Sequence, residues 1–310
     1  MAQVMQDAVE LLAKLRIEND QSSKKFHSEP KSHDTEIFHD RTFISGILSS
    51  EDYRYYLPVD DEEIIRQELL NRVWSNAGIF VSNLVQDIPQ GQIFDLGCGY
   101  GFWAQQVSLL CPERTVTGLD FYLPEDPGGF SNTDFEVCNF EYCFEPLGEQ
   151  AALVHLRDSY LFLRSPRKLA NQVSESLCTN GWFQNDEIRL ENWAGDGLRL
   201  EDWRKNTIEA ARRLGLAVHS AENIEQAFQE AGFQGYPTHI INLEASEAGN
   251  RDLLEVVKLT VKASVKILVA GRICTLCEVR TYIEDVLHEL ENQDCKILIR
   301  ASVYIARKIS

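Results

Sequence analysis

Two aspartates and three glycines stand together in a pattern that can do chemistry. Asp95 precedes Gly97, Gly99 and Gly101 in the stretch FDLGCGYGFWA, and Asp120 ends the run TVTGLD, 19 residues beyond Gly101. Glycines at alternate positions between an apolar run and an amphipathic one let the backbone take positive φ and approach a ligand with no Cβ in the way. A dinucleotide fingerprint, GxGxxG, would set a pyrophosphate at this turn, but the carboxylate of Asp95 repels a pyrophosphate and suits a cationic group. Asp120 falls where an acidic side chain accepts both hydroxyls of a ribose, and Phe121 beside it can lie against a nucleoside base. A nucleoside with a positively charged end, such as S-adenosylmethionine with its ammonium, satisfies both features. A tight turn that holds no ligand is the competing reading.

The composition narrows the classes of partner. The chain has 310 residues, enough to bury a large apolar core, and 48 acidic against 30 basic residues give a formal charge of −18. That surface repels phosphate backbones, so no nucleic-acid partner is expected. The longest apolar runs, such as 265–270, fall well short of the roughly 20 residues a bilayer span needs, so no membrane partner is expected and the location is read as cytoplasmic. The eight cysteines are irregularly spaced. Cys274 and Cys277 form one CxxC that lacks two further ligands, so no metal is expected.

These residues require elements to hold them. Val4, Met5, Ala8, Val9, Leu11, Leu12 and Leu15 draw an apolar stripe at a helical period, a cap or a contact for a second copy or another protein. Residues 18–40 are polar and without period and read as a flexible linker. Asp60 with Glu63 three residues on marks a helix start, and Ile64, Ile65, Leu69, Leu70 and Val73 give that helix one buried face. From residue 89 the pattern alternates. Strands are expected at 92–96, 115–120, 135–138, 151–156, 181–188 and 239–243, with helices at 102–110 and near 166–178, 202–214 and 222–231, the order of a doubly wound α/β sheet. Helical text follows over 250–292, and 296–306 reads as a final strand. The resulting division is 1–45 (helix and linker), 46–88 (helical cap), 89–245 (core) and 246–310 (helical insertion and last strand).

The order of YYLPVDDEEIIRQ, DLGCGYGFWA, VTGLDFYLP, FEVCNFEYCF, LVHLRDSY, NGWFQNDE and AGFQG resembles the class I S-adenosylmethionine-dependent methyltransferases, and more narrowly the LaeA-like methyltransferases of fungal secondary metabolism. The resemblance runs from about Tyr53 to the end. It implies a Rossmann-like doubly wound sheet of seven strands with an antiparallel edge hairpin, an N-terminal helical cap and a helical insertion before the last strand. It also implies that Gly97, Gly99 and Gly101 line the methionine part of the cofactor beside Asp95, that Asp120 holds the ribose, and that Tyr55 closes over the cofactor. Asn139 stands where relatives carry an Asp near the adenine amino group. Its amide oxygen can accept that hydrogen bond, and Phe140 next to it joins the cofactor-binding positions. Thr179-Asn180-Gly181 replaces a Pro-Gly-Gly, which Asn tolerates in a left-handed turn, and Gln184 and Asn185 put polar groups into a buried strand.

Methyl transfer needs nucleophile and methyl held in line, and orientation alone supplies about 7–11 kcal/mol. A phenol acceptor with pKa near 10 costs roughly 4 kcal/mol to ionise at pH 7, so a base is wanted there, whereas a carboxylate acceptor needs none. His155, read as ending the fourth strand on the rim, is the candidate catalytic base; a strand-end histidine that is merely hydrogen-bonded is the competing reading. Arg157, Trp193 and Tyr236 are candidate acceptor contacts, each of which can instead be an ion-pair or core residue. The expected activity is methylation of an oxygen or nitrogen of a small-molecule secondary metabolite. Two other classes stay open: a regulatory protein working in a complex, with a nuclear location, and a methyltransferase fold that guides a pericyclic reaction without consuming the methyl.

Overall fold

The computed structural model describes residues 35–45, 54–77, 88–124, 129–143, 150–195, 197–216, 221–292 and 296–309. The apolar stripe at residues 4–15 lies outside the described residues. Where the linker was expected, Thr35–Phe38 (β1) and Arg41–Ile44 (β2) form an antiparallel hairpin. Its two-residue turn is His39-Asp40, both at positive φ, a turn type that matches strand twist; without an Asn-Gly or Asp-Gly signal it was not visible in the sequence. Phe43 and Ile44 anchor the hairpin by burial, and the Lys266 ammonium sits over the Phe43 ring at 4.9 Å.

Helix α1 (Asp61–Asn76) begins as its sequence predicts, with the Asp60 carboxylate accepting from the Glu63 N–H at 3.1 Å. The same carboxylate takes a bidentate pair from Arg41 at 2.7 Å, which ties the hairpin to the helix. The core then alternates: β3 (Gln92–Leu96), α2 (Phe102–Leu110), β4 (Val116–Asp120), β5 (Thr133–Val137), α3 (Phe140–Cys143), β6 (Ala151–Arg157), α4 (Pro166–Ser176) and β7 (Leu177–Glu187). Short β8 (Trp193–Gly195) follows, then α5 (Leu198–Arg213), α6 (Ala221–Glu230), short β9 (Phe233–Gly235) and β10 (His239–Ala245). Three helices, α7 (Arg251–Ala263), α8 (Val265–Ala270) and α9 (Val279–Asn292), precede the last strand, β11 (Ile297–Lys308).

The sheet runs β5-β4-β3-β6-β7-β11-β10, with β8 and β9 paired to β11 off that path. The five strands from β5 to β7 are parallel, and β11 lies antiparallel between β7 and β10. This is the doubly wound sheet with an antiparallel edge pair, the two edge strands joined through the helical insertion. Asn180 takes φ 68° at the irregular start of β7, as its side chain allows. Alternate residues face opposite layers. Ile93, Leu153 and Trp182 pack with Trp103 and Val107 of α2, while Phe94, Leu96, Val154 and Phe183 pack with Leu169 and Val173 of α4 and Phe228 of α6.

A third core joins α1, α5 and the inserted helices to the outer half of β11. Its centre is Trp203, fully buried, whose indole N–H donates to Ser264 Oγ at 2.8 Å. Replacing Trp203 by Ala is expected to cost about 3–5 kcal/mol, the range for deleting a large core aromatic, read as a lower urea midpoint.

Candidate functional site

Strand β3 delivers Asp95 to the carboxyl end of the sheet, and the chain then turns through Gly97, Gly99 and Gly101, all at positive φ. The loop folds onto β4: Gly97 and Cys98 both donate to the Leu119 carbonyl, at 2.8 and 3.1 Å, and Gly99 N–H donates to Asp120 Oδ2 at 2.7 Å. From the other side Gln67 of α1 lies on the loop, accepting from Tyr100 N–H at 3.2 Å, and a Cβ at Gly99 would collide with its amide. Glycine at 99 is therefore demanded by φ, while the Gln67 amide would have to swing aside for a Cβ.

The cleft above this loop encloses about 880 Å³, including its solvent-filled mouth. Asp95, Gly97, Gly99, Asp120, Phe121, Asn139, Phe140, Tyr55 and Arg157 all line it. The structure thus brings together most of the residues that the sequence assigned to the cofactor, and it adds Arg66 and Gln67 from α1 and Asp158 and Phe162 from the loop after β6. Tyr55 packs on Phe121 at 4.7 Å and on Phe162 at 4.9 Å between ring centroids, an aromatic wall suited to a base.

The electrostatics follow from burial. Asp120 is held up to about 6, chiefly because it is desolvated, with the Gly99 amide pulling the other way. Arg66 is closed in a bidentate pair with Glu63 at 2.6 and 2.8 Å, and Arg157 donates to Asn71 at 3.0 Å. Burial likewise raises Asp158, whose oxygens accept from the Trp74 indole at 3.1 Å and the Ile188 N–H at 2.7 Å.

Four expectations are corrected. His155 is not on the rim: β6 continues to Arg157, and the ring is fully buried between Asp95 and Asp186, where it meets no acceptor. Gly101 does not line the cleft, because its Cα faces the Phe135 ring, which a Cβ would approach to 2.5 Å; it serves close packing of α2 on the sheet. Trp193 lies buried in the third core, 6.1 Å from Trp203, and Tyr236 packs on Trp182 and bonds to Ile305, toward the amino-terminal half of β7 and away from the cleft. Asn139 lines the cleft, and its amide oxygen accepts from Glu141 N–H at 3.2 Å and keeps a second lone pair.

S-adenosylmethionine fits this donor set. Asn139 Nδ2 is buried at the cleft with no hydrogen-bond partner among the described residues, a donor available to a ring nitrogen of adenine. Asp120 keeps lone pairs for hydroxyl donors, and Asp95 offers a carboxylate to an ammonium. No Cβ intrudes at Gly97 or Gly99.

Two predictions follow from this geometry. Gly101→Ala forces a left-handed φ and a ring clash together, and is expected to lower stability by about 2–4 kcal/mol in urea unfolding. A ribose-holding Asp120 must be ionised. The calorimetric Kd for S-adenosylhomocysteine is therefore expected to be flat above about pH 7 and to weaken about tenfold per pH unit well below pH 6, a dependence Asp120→Asn removes.

Comparison with known proteins agrees with this geometry. A family model described as a methyltransferase domain matches residues 67–237, more than half of the chain. The protein-methionine methyltransferase laeA of Emericella nidulans is 27% identical over 199 residues, 61% of this chain and 52% of that protein. The secondary metabolism regulator laeA of Monascus pilosus is 30% identical over 200 residues, 61% of this chain and 53% of that protein. This chain thus matches about half the length of these relatives. The crystal structure of the YcgJ protein from Bacillus subtilis superposes with a TM-score of 0.49 at 15% identity, over 74% of this chain and 98% of that one. With the family model matching residues 67–237, the chain belongs to the methyltransferase-domain family.

Proposed function

We propose that this protein transfers the methyl group of S-adenosylmethionine to an oxygen or nitrogen of a small-molecule secondary metabolite. The observation that carries the reading is the cleft, which joins the glycine loop and Asp120 on one side to Arg157 and Asp158 on the other, under α1. Such a roofed site admits a small acceptor more readily than a folded protein surface.

The bound cofactor supplies an electrophilic methyl on a sulfonium. The rest of the work falls to this chain. Asp95 pairs with the ammonium, Asp120 accepts from the ribose, Asn139 and Phe140 meet the adenine, and Tyr55 with Phe121 and Phe162 closes the aromatic side and excludes water. Arg157 and Asp158 face the acceptor from the end of β6. With His155 withdrawn into the sheet, Asp158, a half-buried carboxylate lining the cleft, takes the proton that an amine or hydroxyl loses, its affinity for protons raised by desolvation.

A second reading is favoured by the relatives. Several are named as regulators of secondary metabolism and one as a protein-methionine methyltransferase. A thioether needs no base, so the same cleft would serve. The two methionines of this chain, Met1 and Met5, both precede the described residues.

One experiment separates the readings: incubation with methyl-labelled S-adenosylmethionine and an extract containing both metabolites and proteins. Label in an organic-soluble product, lost in Asp120→Ala, is the expected outcome. Label confined to protein, at Met1, Met5 or another chain, favours the regulatory reading, and cofactor that binds but keeps its methyl sinks both.

A further inference from the structure

His155 has two carboxylates on one ring. Its Nδ1 lies 2.8 Å from Asp95 Oδ1 on β3 and its Nε2 lies 3.1 Å from Asp186 Oδ2 on β7, and all three side chains are at least nine-tenths buried. The sheet register sets this up. Asp95, His155 and Gln184 are neighbours across β3, β6 and β7, so their side chains emerge on one face, and Asp186 follows on that face one pleat later. Gln184 donates to both Asp186 oxygens at 2.9 and 3.0 Å, fixing the far carboxylate. The ring itself lies flat on Trp103 of α2, with centroids 3.7 Å apart and planes 5° from parallel.

A neutral imidazole has one N–H and one lone pair, so it satisfies only one carboxylate. The other would then meet lone pair against lone pair in a site that water does not reach. An imidazolium donates to both, and an indole face is a favourable bed for a cation. The other titratable neighbours are Arg157, whose backbone lies in register with Asp186 across β6 and β7, Asp120, a like charge acting with Asp95 across the glycine loop, and the Cys98 thiol, kept neutral by burial and by those two carboxylates. Asp95 therefore has His155 as the cation bonded to it among the described contacts, and it lines the cleft.

We infer that His155 is a positioning residue that stays an imidazolium through neutral pH and so holds Asp95 ionised and aimed at the ammonium of the cofactor. This rests on the reading of the cleft as an S-adenosylmethionine site. Burial by itself would lower the pKa of His155, but its hydrogen bonds to Asp186 and Asp95 outweigh that and the net shift is upward. The charge on the ring is thus retained above the pH at which an exposed histidine loses it. Without the ring, Asp95 is a buried carboxylate among like charges. It then takes up a proton more readily and no longer pairs with an ammonium.

The test has two arms. In long-range nitrogen–proton spectra of the wild-type protein at about pH 7.5, where exposed histidines are mostly neutral, one of the seven histidine rings is expected to remain doubly protonated, and to vanish in His155→Gln. Seven neutral rings overturn the inference without need of any variant. In calorimetry with S-adenosylhomocysteine, wild-type Kd is expected to agree within about twofold at pH 6.5 and 8.5, while His155→Gln binds about tenfold more weakly at pH 6.5 than at 8.5 as Asp95 takes up its proton. A His155→Gln protein whose Kd is weaker but equal at both pH values overturns it, since that is the mark of a merely structural histidine. If the wild type binds no S-adenosylhomocysteine, the reading of the cleft fails and Asp95's role toward the ammonium falls with it, while the spectra still decide the charge on the ring.

Discussion

Two buried carboxylates at the ends of adjacent strands are the constraint on which the site depends. Asp95 on β3 and Asp120 on β4 are both over nine-tenths buried, at the carboxyl edge of a parallel sheet. An ionised carboxylate in such surroundings needs donors or counter-charges, or it protonates. The fold supplies them from within. The Gly99 amide serves Asp120, and that bond draws the glycine loop down over β4. His155 serves Asp95 from β6. What the described residues leave unsatisfied, lone pairs on both carboxylates and the Nδ2 of Asn139, matches a ligand with hydroxyls, a cation and a hydrogen-bond acceptor.

The same logic explains the roof. Glu63, Arg66 and Gln67 fall three and four residues apart on α1 and hold one another, which leaves Gln67 free to bond the Tyr100 amide. Arg72 then ties α1 to Asp252 of α7 through a bidentate contact at 3.0 and 3.1 Å. The inserted helices thus brace the helix that covers the cleft.

Much of this was legible in the sequence, for a physical reason. The glycine loop, Asp95 and Asp120 lie within one strand-turn-helix-strand unit, where chain spacing alone fixes geometry. The helix start at Asp60 was equally local. Tyr55 came only through the resemblance, since nothing near it signals a lid. Residues that meet by tertiary assembly stayed hidden: Gln67 against Gly99, Asp158 against Trp74, and the Trp103–His155 stack join parts of the chain that no local pattern connects. His155 itself shows how sharp the limit is. The strand expected at 151–156 stops one residue short of Arg157, and reading His155 as its end set on the rim a ring that lies inside the sheet. Trp193 and Tyr236 failed differently, because an aromatic after a core strand can belong to a second hydrophobic cluster as easily as to a pocket.

The account's central claim is that the two strand-end carboxylates face one ligand. A crystal structure of the protein with S-adenosylhomocysteine tests it most directly. The account predicts both ribose hydroxyls on Asp120, the ammonium on Asp95 and the adenine edge on Asn139 Nδ2. A ligand bound elsewhere, or one whose ammonium turns away from Asp95, would contradict it.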